Sequence, residues 1–395
     1  MSAQPPSRLH RVLGVRAATV VGLSAMLGTG IFAVWTPALD LAGSVVLVSL
    51  FIAAVVAALN AVSTARLARV HPESGGAYAY GRLRLNRFAG VTAGVAFLIG
   101  KSASASAAAL TIGVYLWPGA ERWVALAAIA GALLVDLRGI VRSTRVSALL
   151  IVALIVIVVS TLGWGAASLP DMPTANLPAD SPVAVVAAAA IIFVAFAGYA
   201  RITVLGEEVK DPARTIPLAM ICSFGVVLAL YVAAGWVTMS AAERGVILGP
   251  APIESIAELT GSSVLRGAVV AGAVLGAGAV LINLISGMGR TLFAMASAGD
   301  APRALGGLSR QRVPHRAAIT VAVAAGVMVI PGRLSWALAL SGASILVYYS
   351  VAHVASFTLP GPWVLRRLVP IVGLALAWVV IAALLLTLLT SVSPA

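Results

Sequence analysis

The chain has 395 residues, of which 61% are hydrophobic and only 10% charged, with a mean hydropathy of +1.05. Soluble domains average about 45–50% apolar and about 25% charged residues, so lipid must solvate much of this surface and a soluble enzyme or binding module is excluded. The net charge of +13 invites a nucleic-acid reading, but the placement of the arginines argues against that partner.

Residues 1–16 are short and basic, with Arg8, Arg11 and Arg16. No small-residue cleavage site follows a short apolar core, so the first apolar stretch is expected to stay as an anchor. A helix needs roughly 17–25 apolar residues to cross a bilayer, and long Ala/Val/Leu/Ile/Gly runs without period-2 alternation favour helices over a barrel. About eleven stretches meet that length. They lie near 17–37, 40–63, 88–115, 122–136, 146–168, 183–205, 216–239, 265–295, 316–331, 335–359 and 369–391, the fourth and ninth being short.

Alternate connections collect the arginines: Arg66 to Arg87, then Arg138, Arg142 and Arg145, then Arg303 to Arg316, then Arg366 and Arg367. The opposite connections hold Asp171, Asp180, Glu243, Glu254 and Glu258. This asymmetry predicts a cytoplasmic N-terminus in a lipid bilayer and, with an odd number of spans, a C-terminus outside. Cys222 is the one cysteine, which rules out an intramolecular disulfide and a thiolate metal cluster.

The first stretch contains Gly28-Thr29-Gly30-Ile31-Phe32 near mid-membrane depth. Glycine interrupts a helix there and lets backbone approach a ligand; it also permits close helix packing in lipid, and the pattern by itself leaves both open. The sixth stretch repeats the feature in Phe193-Val194-Ala195-Phe196-Ala197-Gly198-Tyr199-Ala200-Arg201. Paired interruptions in two halves of a chain point to a transporter whose half-helix ends meet a substrate at the midplane. An anionic group would sit against the amides of Thr29, Gly30 and Ile31, and a cation against the carbonyls of Met26, Val194 and Ala197. Phe196 is expected to cover the site, with Gly198 at the break.

These segments resemble the amino acid–polyamine–organocation superfamily of permeases. The resemblance is carried by Gly28-Thr29-Gly30-Ile31-Phe32, by Pro72-Glu73-Ser74-Gly75-Gly76-Ala77-Tyr78, and by Phe196 to Tyr199 followed by Gly206-Glu207-Glu208-Val209-Lys210-Asp211-Pro212 and Ile216-Pro217. Asn283 with Arg290 to Met295, Gly299-Asp300 and Val313-Pro314 completes it, so that four motifs in order span roughly residues 15–330. It implies an all-α polytopic membrane protein with the five-plus-five inverted repeat of the leucine-transporter type, working by alternating access on a small amino-acid substrate. Residues 17–359 would form the ten-helix core, preceded by the segment 1–16 and followed by one further helix within 360–395, one fewer than the family's usual twelve. Relatives with cationic substrates often carry an acid after the sixth-span Gly-Tyr. Here Ala200 stands there, which favours a neutral amino acid over the alternative of a cationic amino-acid or polyamine antiporter or an exporter. Some proton-coupled relatives have a lysine in the fifth span, where Val152 to Ile155 are apolar.

Lys101 lies inside the third stretch, and residues 88–101 cover about 20 Å of helix rise, long for snorkelling to the headgroups. Intramembrane ionisable groups usually face a cavity or a partner, which makes Lys101 a candidate proton carrier, with H+ as coupling ion and no other cofactor, or a fixed charge in place of a sodium ion. Arg201 is expected to snorkel, with pairing to a substrate carboxylate or to Glu207 as the alternative; Glu207 and Glu208 read as gate or loop charges. His353 reads as a packed histidine and Asn283 as a helix–helix hydrogen-bonding group. The histidines are too scattered for a membrane enzyme, and no filter-like repeat suggests a channel.

Overall fold

The computed structural model describes residues 14–71, 75–139, 144–199, 202, 209–309 and 313–392. The described residues are overwhelmingly helical, as the apolar runs and their lengths demand. The first crossing is broken into α1 (Val15–Met26), α2 (Thr29–Ala33) and α3 (Trp35–Ala42). After a tight turn, α4 (Val46–Val70) returns to the arginine-rich end, where the short α5 (Gly76–Arg84) lies ahead of α6 (Arg87–Leu116). The chain enters α5 through Gly75 and Gly76 at φ +138° and +54°, conformations that L side chains rarely adopt.

Then follow α7 (Glu121–Leu137), α8 (Thr144–Ala167) and α9 (Pro182–Phe196), which ends in a 3-10 turn, Ala197–Tyr199. The remaining helices are α10 (Pro212–Glu243), the short α11 (Pro252–Leu259), α12 (Ser263–Ser297), α13 (His315–Val329), α14 (Leu334–Ser356) and α15 (Val369–Val392), the last entered through a π turn, Val364–Leu368. Polar caps start the long helices. Asn86 accepts from the Ala89 amide at 2.8 Å, and Ser181, followed by Pro182, accepts from Ala184 at 3.0 Å, each satisfying one of the amides that a helix start leaves free.

Nine helices among the described residues are long and apolar enough to cross a membrane, against the eleven stretches expected. The two short candidates do form helices, but α13 has 15 residues and α7 has 17 with Glu121, Arg122 and Asp136 among them. At 1.5 Å per residue α13 rises only about 22 Å against a hydrocarbon core of about 30 Å. Boundaries moved as well. The first crossing runs on to Ala42, and the second starts at Val46 and ends at Val70 instead of spanning 40–63.

α6 runs through the middle of the bundle between α12 and α14, and α9 packs on α4, α14 and α15. Small residues make these approaches close: a Cβ at Gly100 of α6 would stand 3.0 Å from the Ser344 Cβ of α14, and Ser104 meets Ser341 across the same seam at 2.6 Å. Between helices in lipid, packing and hydrogen bonds of this kind replace the hydrophobic effect as the source of association.

Candidate functional site

The two expected interruptions exist, and they touch. α1 stops at Met26; Gly28, with φ −76° and ψ −94°, leaves the helical region before α2 begins. α9 narrows to its 3-10 turn at Ala197, and Gly198 rests on the backbone of Ala25 so closely that a Cβ there would collide with the Ala25 carbonyl oxygen. One turn on, a Cβ at Gly30 would lie 2.5 Å from the Ala195 Cβ and 2.6 Å from the Tyr231 hydroxyl. Gly28 in turn packs on Gly276 and Val280 of α12. These glycines allow two broken helices and a third helix to approach backbone to backbone, which no side-chain-bearing residue permits at that spacing.

Tyr231, from the middle of α10, ties the breaks together. Its hydroxyl donates to the Met26 carbonyl at 2.8 Å and lies 3.4 Å from the Ala195 carbonyl. The Met26 oxygen, expected to face a cation, therefore already holds one donor, and the Val194 carbonyl accepts from the Ala197 amide. A carbonyl has a second lone pair, so both stay chemically able to accept another donor. Thr29 is the exception in the set: its hydroxyl is buried with no hydrogen-bond partner among the described residues. A buried polar group without a partner costs roughly 1–3 kcal/mol, and a substrate polar group aimed at the break would relieve that cost.

Aromatic side chains close the site. Phe196 is fully buried, stacked on Phe224 with centroids 5.2 Å apart and edge-on to Tyr231 at 5.3 Å. Met26, Ile31 and Ala197 are buried around it, and Val194 is partly buried. Tyr199 stacks on Tyr349 of α14 at 5.5 Å, and Tyr349 meets Tyr348 at 5.0 Å. At the far end, Tyr115 donates to the Phe32 carbonyl at 2.9 Å and Thr36 to Gly249 at 2.8 Å. There Glu254 and Glu258 both pair with Arg266, at 2.8 and 3.1 Å.

Lys101 occupies the middle of α6 and is partly buried, with no ion pair or side-chain hydrogen bond among the described residues. It shares a helix face with Gly94 and Arg87, seven and fourteen residues earlier. That face leads to a charged cluster at the arginine-rich end. Asp300 accepts from Arg82 at 2.7 Å, from Arg87 at 2.7 Å and from the Tyr78 hydroxyl at 2.8 Å. Burial alone would raise the Asp300 carboxyl, but the hydrogen bonds from Arg87 and Tyr78 and the charges of Arg82 and Arg87 outweigh it and hold it below the usual carboxylate range. The start of α5 is fixed separately, the Ala77 amide donating to the Tyr348 hydroxyl at 2.8 Å.

Other expectations hold or are redrawn. His353 is packed, fully buried, and its two partners are neither carboxylate nor thiolate: Nδ1 lies 2.9 Å from Ser63 Oγ and Nε2 2.6 Å from Asn60 Oδ1. Asn283 is exposed and makes no hydrogen bond to another helix among the described residues. Pro72 to Ser74, Ala200, Arg201, Glu207 and Glu208, with residues 1–13 and Arg142, lie outside the described residues. Tyr231 and Asn60 were not singled out from the sequence, and Asp300 was named only as part of a motif, with no partner. A tyrosine and an asparagine deep inside apolar crossings were the available signals, since hydrogen-bonding groups in lipid seek partners.

Comparison with known proteins agrees with this arrangement. The family model described as amino acid permease matches residues 13–394. An uncharacterized transporter of Mycobacterium tuberculosis is 41% identical over 386 residues, covering 93% of this chain and 85% of its own length. The branched-chain amino acid permease of Bacillus subtilis is 28% identical, covering 78% of this chain and 71% of its own. A methylthioribose transporter of the same organism is 26% identical, covering 76% and 71%. With glycine-packed helix breaks at its centre and a family match over nearly its full length, this multi-pass membrane chain is a transporter, not an enzyme, and belongs to the amino acid permease family.

Proposed function

We propose that the protein carries neutral amino acids across the cell membrane by proton-coupled, secondary-active alternating access, with the arginine-rich end in the cytoplasm. Its core is then the five-plus-five inverted repeat, the break at Leu27–Gly28 in the first helix of one half answering that at Ala197–Gly198 in the first helix of the other. The observation that carries this reading is the direct contact of the breaks, Gly198 on the Ala25 backbone with Tyr231 bridging Met26 and Ala195. In it the substrate carboxylate meets the amides of Thr29, Gly30 and Ile31 and the unpartnered Thr29 hydroxyl, and the ammonium meets the second lone pairs of the Met26, Val194 and Ala197 carbonyls. Phe196 excludes water from the apolar part of the substrate.

Ala200 leaves no acid after Gly198-Tyr199 in the sequence, which supports a neutral substrate over a cationic amino acid or polyamine. Lys101, on the face of α6 that leads through Arg87 toward Asp300, is the proposed proton carrier. The methylthioribose carrier among the relatives supports a second reading, in which the apolar site takes a small thioether-bearing sugar.

Purified protein in liposomes tests these readings. A panel of labelled amino acids, with methylthioribose and putrescine included, is offered under proton and sodium gradients separately. Uptake of a neutral amino acid accelerated by an inward proton gradient is expected. Uptake of putrescine or methylthioribose alone would replace the substrate assignment, and sodium dependence would replace the coupling ion.

A further inference from the structure

His353 sits at the crossing of α4, α14 and α15, fully buried. Gly373 of α15 lies flat against the ring, leaving no room for a Cβ. In plane, Nε2 is 2.6 Å from Asn60 Oδ1 and Nδ1 is 2.9 Å from Ser63 Oγ. An amide oxygen only accepts, so Nε2 carries a proton, and in the neutral ring Nδ1 accepts from the Ser63 hydroxyl. If a second proton arrives at Nδ1, Ser63 reverses its role and accepts from the ring, since a hydroxyl can both donate and accept. The neutral ring is satisfied at both nitrogens, and a second proton on Nδ1 finds an acceptor once the Ser63 hydroxyl rotates.

The site does not end at the ring. The Asn60 amide nitrogen is buried without a partner, and so is the Tyr199 hydroxyl. Tyr349, Tyr348 and Asn60 are the side chains that interact electrostatically with the Tyr199 hydroxyl. Tyr199 belongs to the 3-10 turn next to Gly198, which rests on the first break. Asn60 thus stands between His353 and the break after α9, with its oxygen engaged and its nitrogen open.

We propose that His353, Ser63 and Asn60 form a second proton-binding site, through which pH at the arginine-rich end biases the conformation of the break after α9. This rests on the transport reading above and is separate from Lys101. The groups facing the ring can be named from each element. α4 brings Ser63, Asn60 and, one turn on, Arg66, whose guanidinium is bound to Ser356 Oγ at 3.1 Å and to the Leu365 and Pro360 carbonyls. α15 brings Gly373 against the ring, while Tyr349 of α14 and Tyr199 stack on each other on the far side of Asn60. The turn before α15 holds Arg366 and Arg367, the latter over the Phe357 ring. No carboxylate among the described residues pairs with His353. These arginines oppose an imidazolium, so the proton stays only while both acceptors are in place. When the break moves and Tyr199 draws Asn60 away, Nε2 loses its acceptor and the proton leaves. By linkage, loading the proton holds the break in the arrangement described here.

The test uses full-length protein with 15N-labelled histidine in lipid nanodiscs, its His353 signals identified by their loss in His353→Gln. The His353 resonances are expected to titrate reversibly within about pH 5–8, the range in which histidine ordinarily changes charge. Asn60→Asp, which puts a carboxylate in place of the amide, should move that midpoint up by about one unit or more. In liposomes, the dependence of uptake rate on pH at the arginine-rich end should shift in parallel and flatten in His353→Gln. Ring signals that stay fixed until the protein unfolds, or a midpoint that Asn60→Asp leaves in place, would overturn the proposal. So would a rate profile in His353→Gln identical to that of the unaltered protein. If His353→Gln fails to fold, Ser63→Ala and Asn60→Asp decide the matter by the same two readouts. If the unaltered protein transports no panel member, the transport reading falls, while the titration still decides the proton site.

Discussion

The Tyr231 hydroxyl donates to the Met26 carbonyl across 2.8 Å, joining α10 to the end of α1 where that helix breaks. An oxygen released by the interruption is thereby held in place by a third helix. Tyr231→Phe should destabilise the protein by about 1–2 kcal/mol, the cost of a lost buried hydrogen bond and a carbonyl left with a free lone pair. Substrate affinity should fall roughly tenfold if the misplaced carbonyl loses about 1.4 kcal/mol of its contact with the ammonium. Thermal unfolding in detergent and substrate KM measure the two effects.

Gly198 and Gly30 should not tolerate even a methyl group. At Gly198 the added Cβ meets the Ala25 backbone, which cannot rotate out of the way; overpacking of this kind costs about 1–3 kcal/mol or more. Gly198→Ala and Gly30→Ala should cut uptake at least roughly tenfold while membrane insertion persists. Gly225→Ala, on a face with nothing within 4 Å, is the matched control and should behave like the parent.

Lys101→Met should abolish the response of uptake to an imposed proton gradient while substrate exchange continues. Removing the charge also ends the cost of holding an unpaired cation in the membrane, so the variant should be no less thermostable than the parent. An unchanged gradient response would remove Lys101 from the coupling mechanism.

Asp300 joins α5, α6 and the end of α12 through three donors. Its carboxyl is held below the ordinary aspartate value of about 3.9, so the stability it contributes is complete above that pH. It is lost as pH falls through the lower native value. Asp300→Asn should therefore lower the Tm at neutral pH, and the gap to the parent should close in strong acid. Arg82→Gln and Arg87→Gln, each leaving two donors, should each lower it less. Melting curves from about pH 7 down to about pH 3 compare the four proteins.

Membrane residence, helical architecture and the two breaks were legible in the sequence, because each depends on local composition. An apolar run of span length has to become a helix in lipid, and glycines at its centre interrupt it wherever the chain goes. The candidate site was legible to the same extent: Met26, Thr29, Gly30, Ile31, Val194, Phe196, Ala197 and Gly198 could be named because they border those interruptions. Tyr231, Asn60, Ser63, His353 and Asp300 could not be assigned partners, since their bonds join residues 205 to 293 positions apart in the case of Tyr231–Met26 and Asn60–His353. Side-chain hydrogen bonds depend on which helices become neighbours and at what rotation, and an apolar pattern without a strong polar face leaves that rotation unspecified. Tertiary packing decided it. It set Gly198 on Ala25, placed Tyr231 between the breaks, and gave an isolated histidine two polar partners.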